Sequence, residues 1–173
     1  LKRIKGVLRP AIAVLFPNKK DQGTLFLDLG ANSDSKPEFL NQFATMGSKY
    51  MEIFSGKKNP KVALLNIGEE ATKGNEVVLA TYPILEKMKT INFKGNVEGR
   101  DIPKGAVDVV VCDGFVGNVV LKFAEGLVTS LTQLIKDSIM GGSIFAKIGA
   151  MLIKPALKPI AKKLDHTESG GAR

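Results

Sequence analysis

Val107-Asp108-Val109-Val110-Val111-Cys112-Asp113-Gly114-Phe115-Val116-Gly117-Asn118 is the stretch on which the fold turns. Its β-branched run lacks polar alternation, as expected of a strand covered on both faces. From about Val116 to Ile139 the apolar residues recur at helical spacing. A buried strand that passes through a short glycine-bearing segment into a helix is the repeating unit of a parallel sheet between helix layers.

Working outward, the same unit recurs. Thr24–Leu29 runs into Asp28-Leu29-Gly30-Ala31-Asn32, Val62–Ile67 into Asn66-Ile67-Gly68-Glu69-Glu70, and Ile91–Phe93 into Gly95-Asn96-Val97-Glu98-Gly99. Between them, Ser35 is read as a helix cap with Pro37 just inside. Phe39, Leu40, Phe43, Ala44, Met51 and Phe54 carry that helix to Gly56, and a second helix is expected over Glu76–Met88. Ala11–Phe16 is joined to Thr24–Leu29 by a connection too short for a parallel crossover, so the two should pair antiparallel. The expected fold is α/β, a three-layer αβα sandwich on a mixed, mostly parallel sheet. Residues 1–173 are read as one domain cut from a longer chain, with a protruding helical hairpin over about 119–164.

Apolar residues make up 44% of the 173 positions, enough for a buried core. A single cysteine, Cys112, excludes an intrachain disulfide and a zinc site of several cysteines, and suits a reducing cytoplasm. Charges interrupt every apolar run, so no membrane-spanning segment is expected. The net charge of +8 is concentrated at the ends: residues 1–20 hold six Lys/Arg and no acid, and residues 136–163 hold six Lys against Asp137. The basic segments lack interleaved Tyr or Trp, which argues against nucleic acid and for anionic lipid or an acidic protein partner. Over Ile144–Leu164, Lys147, Lys154, Lys158 and Lys162 share one helical sector while Phe145 and Ile148 lie elsewhere. Pro155 and Pro159 should split this segment into two short helices. Ile144, Phe145 and the four lysines are candidate contacts to a membrane or an acidic carrier, at the cytoplasmic face of the cell membrane; a solvated lysine face is the plainer alternative.

In an open parallel sheet, ligands collect at the carboxyl ends of the strands, where the four polar segments would converge. Glycines let backbone N–H groups approach an anion, and Asn and Lys donate further bonds. Gly30, Gly68 and Gly114 are therefore candidate backbone donors, Asn32, Asn66, Asn96 and Asn118 candidate side-chain donors, and Lys73 the leading cation. Glu69, Glu98 and Asp113 are candidates to orient Lys73 or to move protons. Walker and dinucleotide fingerprints do not occur, and neither a cofactor nor a metal is expected. Cys112, at the end of a valine run, is read as core.

These segments, together with Arg9-Pro10-Ala11, Gln42-Phe43-Ala44 with Met46-Gly47, Lys73-Gly74, Asn92-Phe93 and Leu121-Lys122, resemble the bacterial phosphate acyltransferases in order and spacing. The resemblance implies transfer of a fatty acyl group from acyl carrier protein to inorganic phosphate; for that chemistry the residue types themselves nominate Lys73, Asn118 and Asp113. It also implies a homodimer and a fold like the isocitrate and isopropylmalate dehydrogenases. Two alternatives stand beside it: a phosphotransacetylase-like enzyme using coenzyme A thioesters, and a non-catalytic module binding lipid or carrier through its basic ends.

Overall fold

A computed structural model describes residues 4–20 and 23–164, without the side chains of 161–164. The side chain of Lys162 and the tail containing Asp165 and His166 lie outside the described residues. In chain order the elements are β1 (Ala13–Phe16), β2 (Thr24–Leu27), α1 (Pro37–Ser55), β3 (Lys61–Asn66), α2 (Glu76–Lys87), β4 (Asn92–Glu98), β5 (Val109–Val111), α3 (Gly114–Gly141) and α4 (Ile144–Leu164).

The sheet runs β1-β2-β5-β3-β4, with β1 antiparallel to β2 and every other pair parallel. Alternation along the strands builds a core on each face. Leu25, Leu27, Val62, Leu64, Val109 and Val111 face α1 and α2, whereas Phe26, Ala63, Leu65, Val110 and Cys112 face the start of α3 and Ile102. The expected three layers are present. Because β2, β5, β3 and β4 run the same way, their carboxyl ends share one edge.

Local readings are corrected in four places. Ser35 does not cap α1: Lys36 holds the cap position without a side-chain bond, Pro37 enters directly, and Ser35 Oγ instead donates to the Asn32 carbonyl at 3.4 Å. The segment Gly95–Gly99 is mostly strand rather than loop. An extra residue in β4 shifts the register between Val62 and Leu64, and Gly95 at φ +85° takes a conformation that a side chain would strain. Pro155 and Pro159 do not divide α4, which is continuous. Their four-residue spacing places both missing N–H groups on one line, and the surrounding residues are exposed, so the freed carbonyls of Met151 and Pro155 face water. Finally, α3 has the length and mean apolarity of a membrane span, since its charges fall only at Lys122, Glu125, Lys136 and Asp137. Its first turns nevertheless lie on the sheet, where Gly114 and Gly117 are buried; past Leu121 the α3–α4 hairpin stands out with Leu131, Leu134 and Phe145 exposed.

Among the described glycines, Gly117 leaves the least room for a side chain, against the residue that follows β2. A Cβ there would lie 1.8 Å from the Asp28 carbonyl oxygen and 2.9 Å from Cys112 Sγ. Backbone cannot yield as a flexible side chain can, so Gly117→Ala should cost about 3 kcal/mol of stability. Urea denaturation of the variant reads this loss; a cost under about 0.5 kcal/mol, the range of ordinary surface changes, would show that α3 docks elsewhere.

Candidate active site

The site is assembled from the strand ends inward. Asp28, the residue after β2, is fully buried, and its carboxylate collects the surrounding donors: Oδ1 accepts from the backbone N–H of Ile12 (2.9 Å), Gly30 (3.3 Å) and Ala31 (3.0 Å). Oδ2 accepts from the backbone N–H and side-chain Nδ2 of Asn32, both at 2.8 Å. Asn32 Nδ2 also donates to the Pro10 carbonyl at 2.7 Å, so both of its amide hydrogens are used within the protein.

The end of β5 is tied to this loop at several points. Asp28 N–H donates to the Cys112 carbonyl at 3.1 Å, Cys112 N–H to the Leu27 carbonyl at 2.6 Å, Gly114 N–H to the Asn32 carbonyl at 2.9 Å, and the Cys112 thiol to the Asp28 carbonyl at 3.3 Å. Asp113 caps α3 by accepting from Val116 N–H at 2.9 Å. Asn118, one turn on, is exposed, and its side chain stands beside Gly30. Gly30, Asn32, Asp113, Gly114 and Asn118 therefore form one rigid group around Asp28.

A second group surrounds the end of β3. Asn66 Oδ1 accepts from Ile67 N–H, and Nδ2 donates to the Lys73 carbonyl, each at 2.8 Å. Lys73 N–H returns to the Glu70 carbonyl, which also accepts from Asn96 Nδ2 at 2.8 Å. Asn96 is buried, and its Oδ1 has no hydrogen-bond partner. Gly68 packs under Glu70 and Lys73. Asn75 caps α2 through a 3.0 Å bond from Val78 N–H.

Lys73 is exposed, and its ammonium makes no ion pair among the described residues. Glu69 is exposed nearby in sequence, Glu98 binds Arg100 at 3.0 Å, and Asp113 is engaged as a cap. The described side chains thus leave the Lys73 ammonium unneutralised. Ile144, Phe145, Lys147, Lys154 and Lys158 lie apart on α4.

Between the two groups is a cleft of about 550 Å³. Asn66, Gly74, Asn75 and Asp113 line it together with the apolar Leu65, Ile67, Val78, Val116 and Val120, so a few polar groups stand in a largely apolar wall. The N-termini of α2 and α3 both border it, each presenting the positive end of a helix dipole, although in α3 the N–H groups of Gly114, Val116 and Gly117 are already bonded to Asn32 and Asp113. Such a cleft favours an anion with several oxygens. Two contributors were legible but unread in the sequence. Asp28 precedes Gly30 and Asn32 as a carboxylate that closes a turn on its own backbone, and Asn75 stands three residues before Val78, the spacing of a cap.

Residues 1–173 match a family model described as fatty acid synthesis protein. The chain is 67% identical over 172 residues to the phosphate acyltransferase of Fusobacterium nucleatum, covering 99% of this chain and 52% of that protein. It is 59% identical over 173 residues to the phosphate acyltransferase of Desulfitobacterium hafniense, covering 99% and 51%. The chain thus spans about half the length of the curated relatives it matches. Among solved structures, a phosphotransacetylase from Streptococcus pyogenes shares the fold with a TM-score of 0.55 at 17% identity, over 75% of this chain and 45% of that one.

Burial pushes the Cys112 thiol well above its ordinary value, and the neighbouring Asp113 and Asp28 carboxylates add to the shift, against a smaller opposing effect of the hydrogen bond to Asp28. The unfolded thiol ionises first as pH rises, so the folded state then binds more protons and stability falls. Cys112 should therefore leave stability unchanged below the unfolded thiol pKa and erode it above, and the native thiol should resist Ellman's reagent until the chain unfolds. Comparing the pH–stability curve with that of Cys112→Ala checks this: identical curves above that pKa, or rapid native labelling, would contradict the burial.

Proposed function

We propose, because the chain belongs to the fatty acid synthesis protein family, that it carries the phosphate-binding core of an acyltransferase moving a fatty acyl group from acyl carrier protein to inorganic phosphate. The observation that carries this reading is the cleft bordered by two helix N-termini, with Lys73 next in the chain to the lining residue Gly74 and without an ion pair among the described residues. Phosphate sits there with its charge steadied by backbone N–H groups, leaving an oxygen free to attack.

That oxygen adds to the carbonyl carbon of the thioester. The new C–O bond forms, the C–S bond breaks, and its electron pair leaves with sulfur, which takes a proton to become the free carrier thiol. The product is an acyl phosphate. No covalent enzyme intermediate is needed, which is consistent with the buried Cys112. The work of the protein is to hold nucleophile and carbonyl together and to meet the developing oxyanion with fixed donors. Lys73 and Asn118 supply side-chain donors; the N–H groups of Gly30 and Gly114, expected as backbone donors, are instead taken by Asp28 Oδ1 and the Asn32 carbonyl, so backbone donation falls to the N-terminus of α2. Asp113 holds the α3 terminus in place; its own charge, spent on the cap, sits close enough to phosphate that orientation must keep the two apart.

The α3–α4 hairpin is the proposed docking surface for the acidic carrier and for anionic lipid at the inner face of the cell membrane, in a cytoplasmic homodimer. Ile144 and Phe145 are 65% and 80% exposed, and Lys154 and Lys158 are exposed beyond them. Liposomes containing anionic lipid should retain the full-length protein at low salt and release it as salt rises. Failure to bind at low salt removes the membrane from this reading.

Phosphate-dependent release of carrier thiol by the full-length protein tests the reaction. Lys73→Ala should lower that rate about 100-fold, the usual cost of losing one donor to developing charge. Activity with coenzyme A thioesters alone would favour the phosphotransacetylase-like alternative. Carrier binding without thiol release, unaffected by Lys73→Ala, would leave a binding module.

A further inference from the structure

We infer that an apolar groove beside α3 holds the acyl chain of the thioester, which places chain-length selection on this half of the protein; the inference rests on the acyl-transfer reading above. The groove encloses about 480 Å³, and Phe16, Phe26, Ile102, Val120, Phe123 and Leu127 line it without a charged side chain among the lining residues. It adjoins the strand-end cleft, because Gly99 and Val120 border both.

One helix face organises the two spaces. Val116, Val120, Phe123 and Leu127 recur at steps of four, three and four, so they share one stripe of α3. That stripe begins in the strand-end cleft at the N-terminus of α3 and continues for roughly 16 Å along the helix to Leu127. A thioester laid along it has its carbonyl among the donors at the helix N-terminus and its alkyl chain against the stripe and the buried ring of Phe26. The polarity of the two ends of a fatty thioester matches the order in which α3 presents its surroundings.

Phe123 is 70% exposed, so it forms the outer wall and can be shortened without opening the core. Ala124 also lines the groove, and a larger side chain there would fill it. Each methylene withdrawn from an apolar site costs about fourfold in affinity, so blocking the groove should penalise long chains selectively.

The test uses full-length protein and measures kcat/KM for phosphate-dependent thiol release from palmitoyl- and butyryl-carrier thioesters. In Ala124→Phe the palmitoyl-to-butyryl ratio should fall at least tenfold, and in Phe123→Ala severalfold. Circular dichroism confirms folding, and the exposed Phe123→Ala carries the test alone if Ala124→Phe does not fold. A ratio unchanged within twofold in every folded variant overturns the groove assignment. Absence of thiol release from any thioester would instead refute the transfer reading. The groove is then judged by palmitate displacing a fluorescent apolar probe: displacement from the wild type that either folded variant weakens supports the site, and displacement that is absent or unaltered overturns it.

Discussion

The buried carboxylate of Asp28 is the constraint on which the strand-end architecture rests. A charge with no solvent exposure must be met by donors, and five are supplied from the chain before β1 and from the loop after β2. Meeting that demand fixes Gly30, Ala31 and Asn32 in one conformation. It also presents the Asn32 carbonyl to Gly114, so that the loop after β2 positions the start of α3. Gly117 then lets α3 close over the Asp28 carbonyl. One polar demand, met locally, sets the orientation of the longest helix and one wall of the cleft.

The opposite wall depends on a different economy. Asn66 and Asn96 spend their amide groups on the Lys73 and Glu70 carbonyls, holding the loop that brings Gly74 and Asn75 to the cleft. Lys73 is thereby held by its backbone while its ammonium remains free. In the proposed reaction, backbone donors would select the geometry of the anion and the Lys73 ammonium would meet its developing charge. Asn32 and Asn66 thus brace loops, and Asn118 is the amide among the four candidates that stands exposed without an internal bond.

Much of this was legible in the sequence because it follows from periodicity. The valine run ending at Cys112, the turn residues after each strand and the apolar spacing of residues 39–54 specify strands, edges and helices with little ambiguity. What escaped reading were choices between equivalent local partners. Ser35 and Lys36 compete for one cap position, and Pro37 makes a side-chain cap dispensable. The extra residue in β4 is settled by pairing with β3, which local sequence cannot reveal. Prolines that should break a helix are tolerated where their freed carbonyls meet water, and that depends on how exposed α4 is. The individual site roles were less legible still, because Asn, Asp and Gly brace loops and bind anions with the same groups.

In the proposed reaction a phosphate site serves an acyl-transfer step, and the identity of the product separates that step from simple thioester hydrolysis. Phosphorus-31 NMR of the full-length protein turning over acyl carrier thioester in phosphate gives the direct reading. The account predicts an acyl phosphate resonance that grows in proportion to the thiol released and vanishes on treatment with hydroxylamine. Thiol released with free fatty acid and no new phosphorus signal would contradict it.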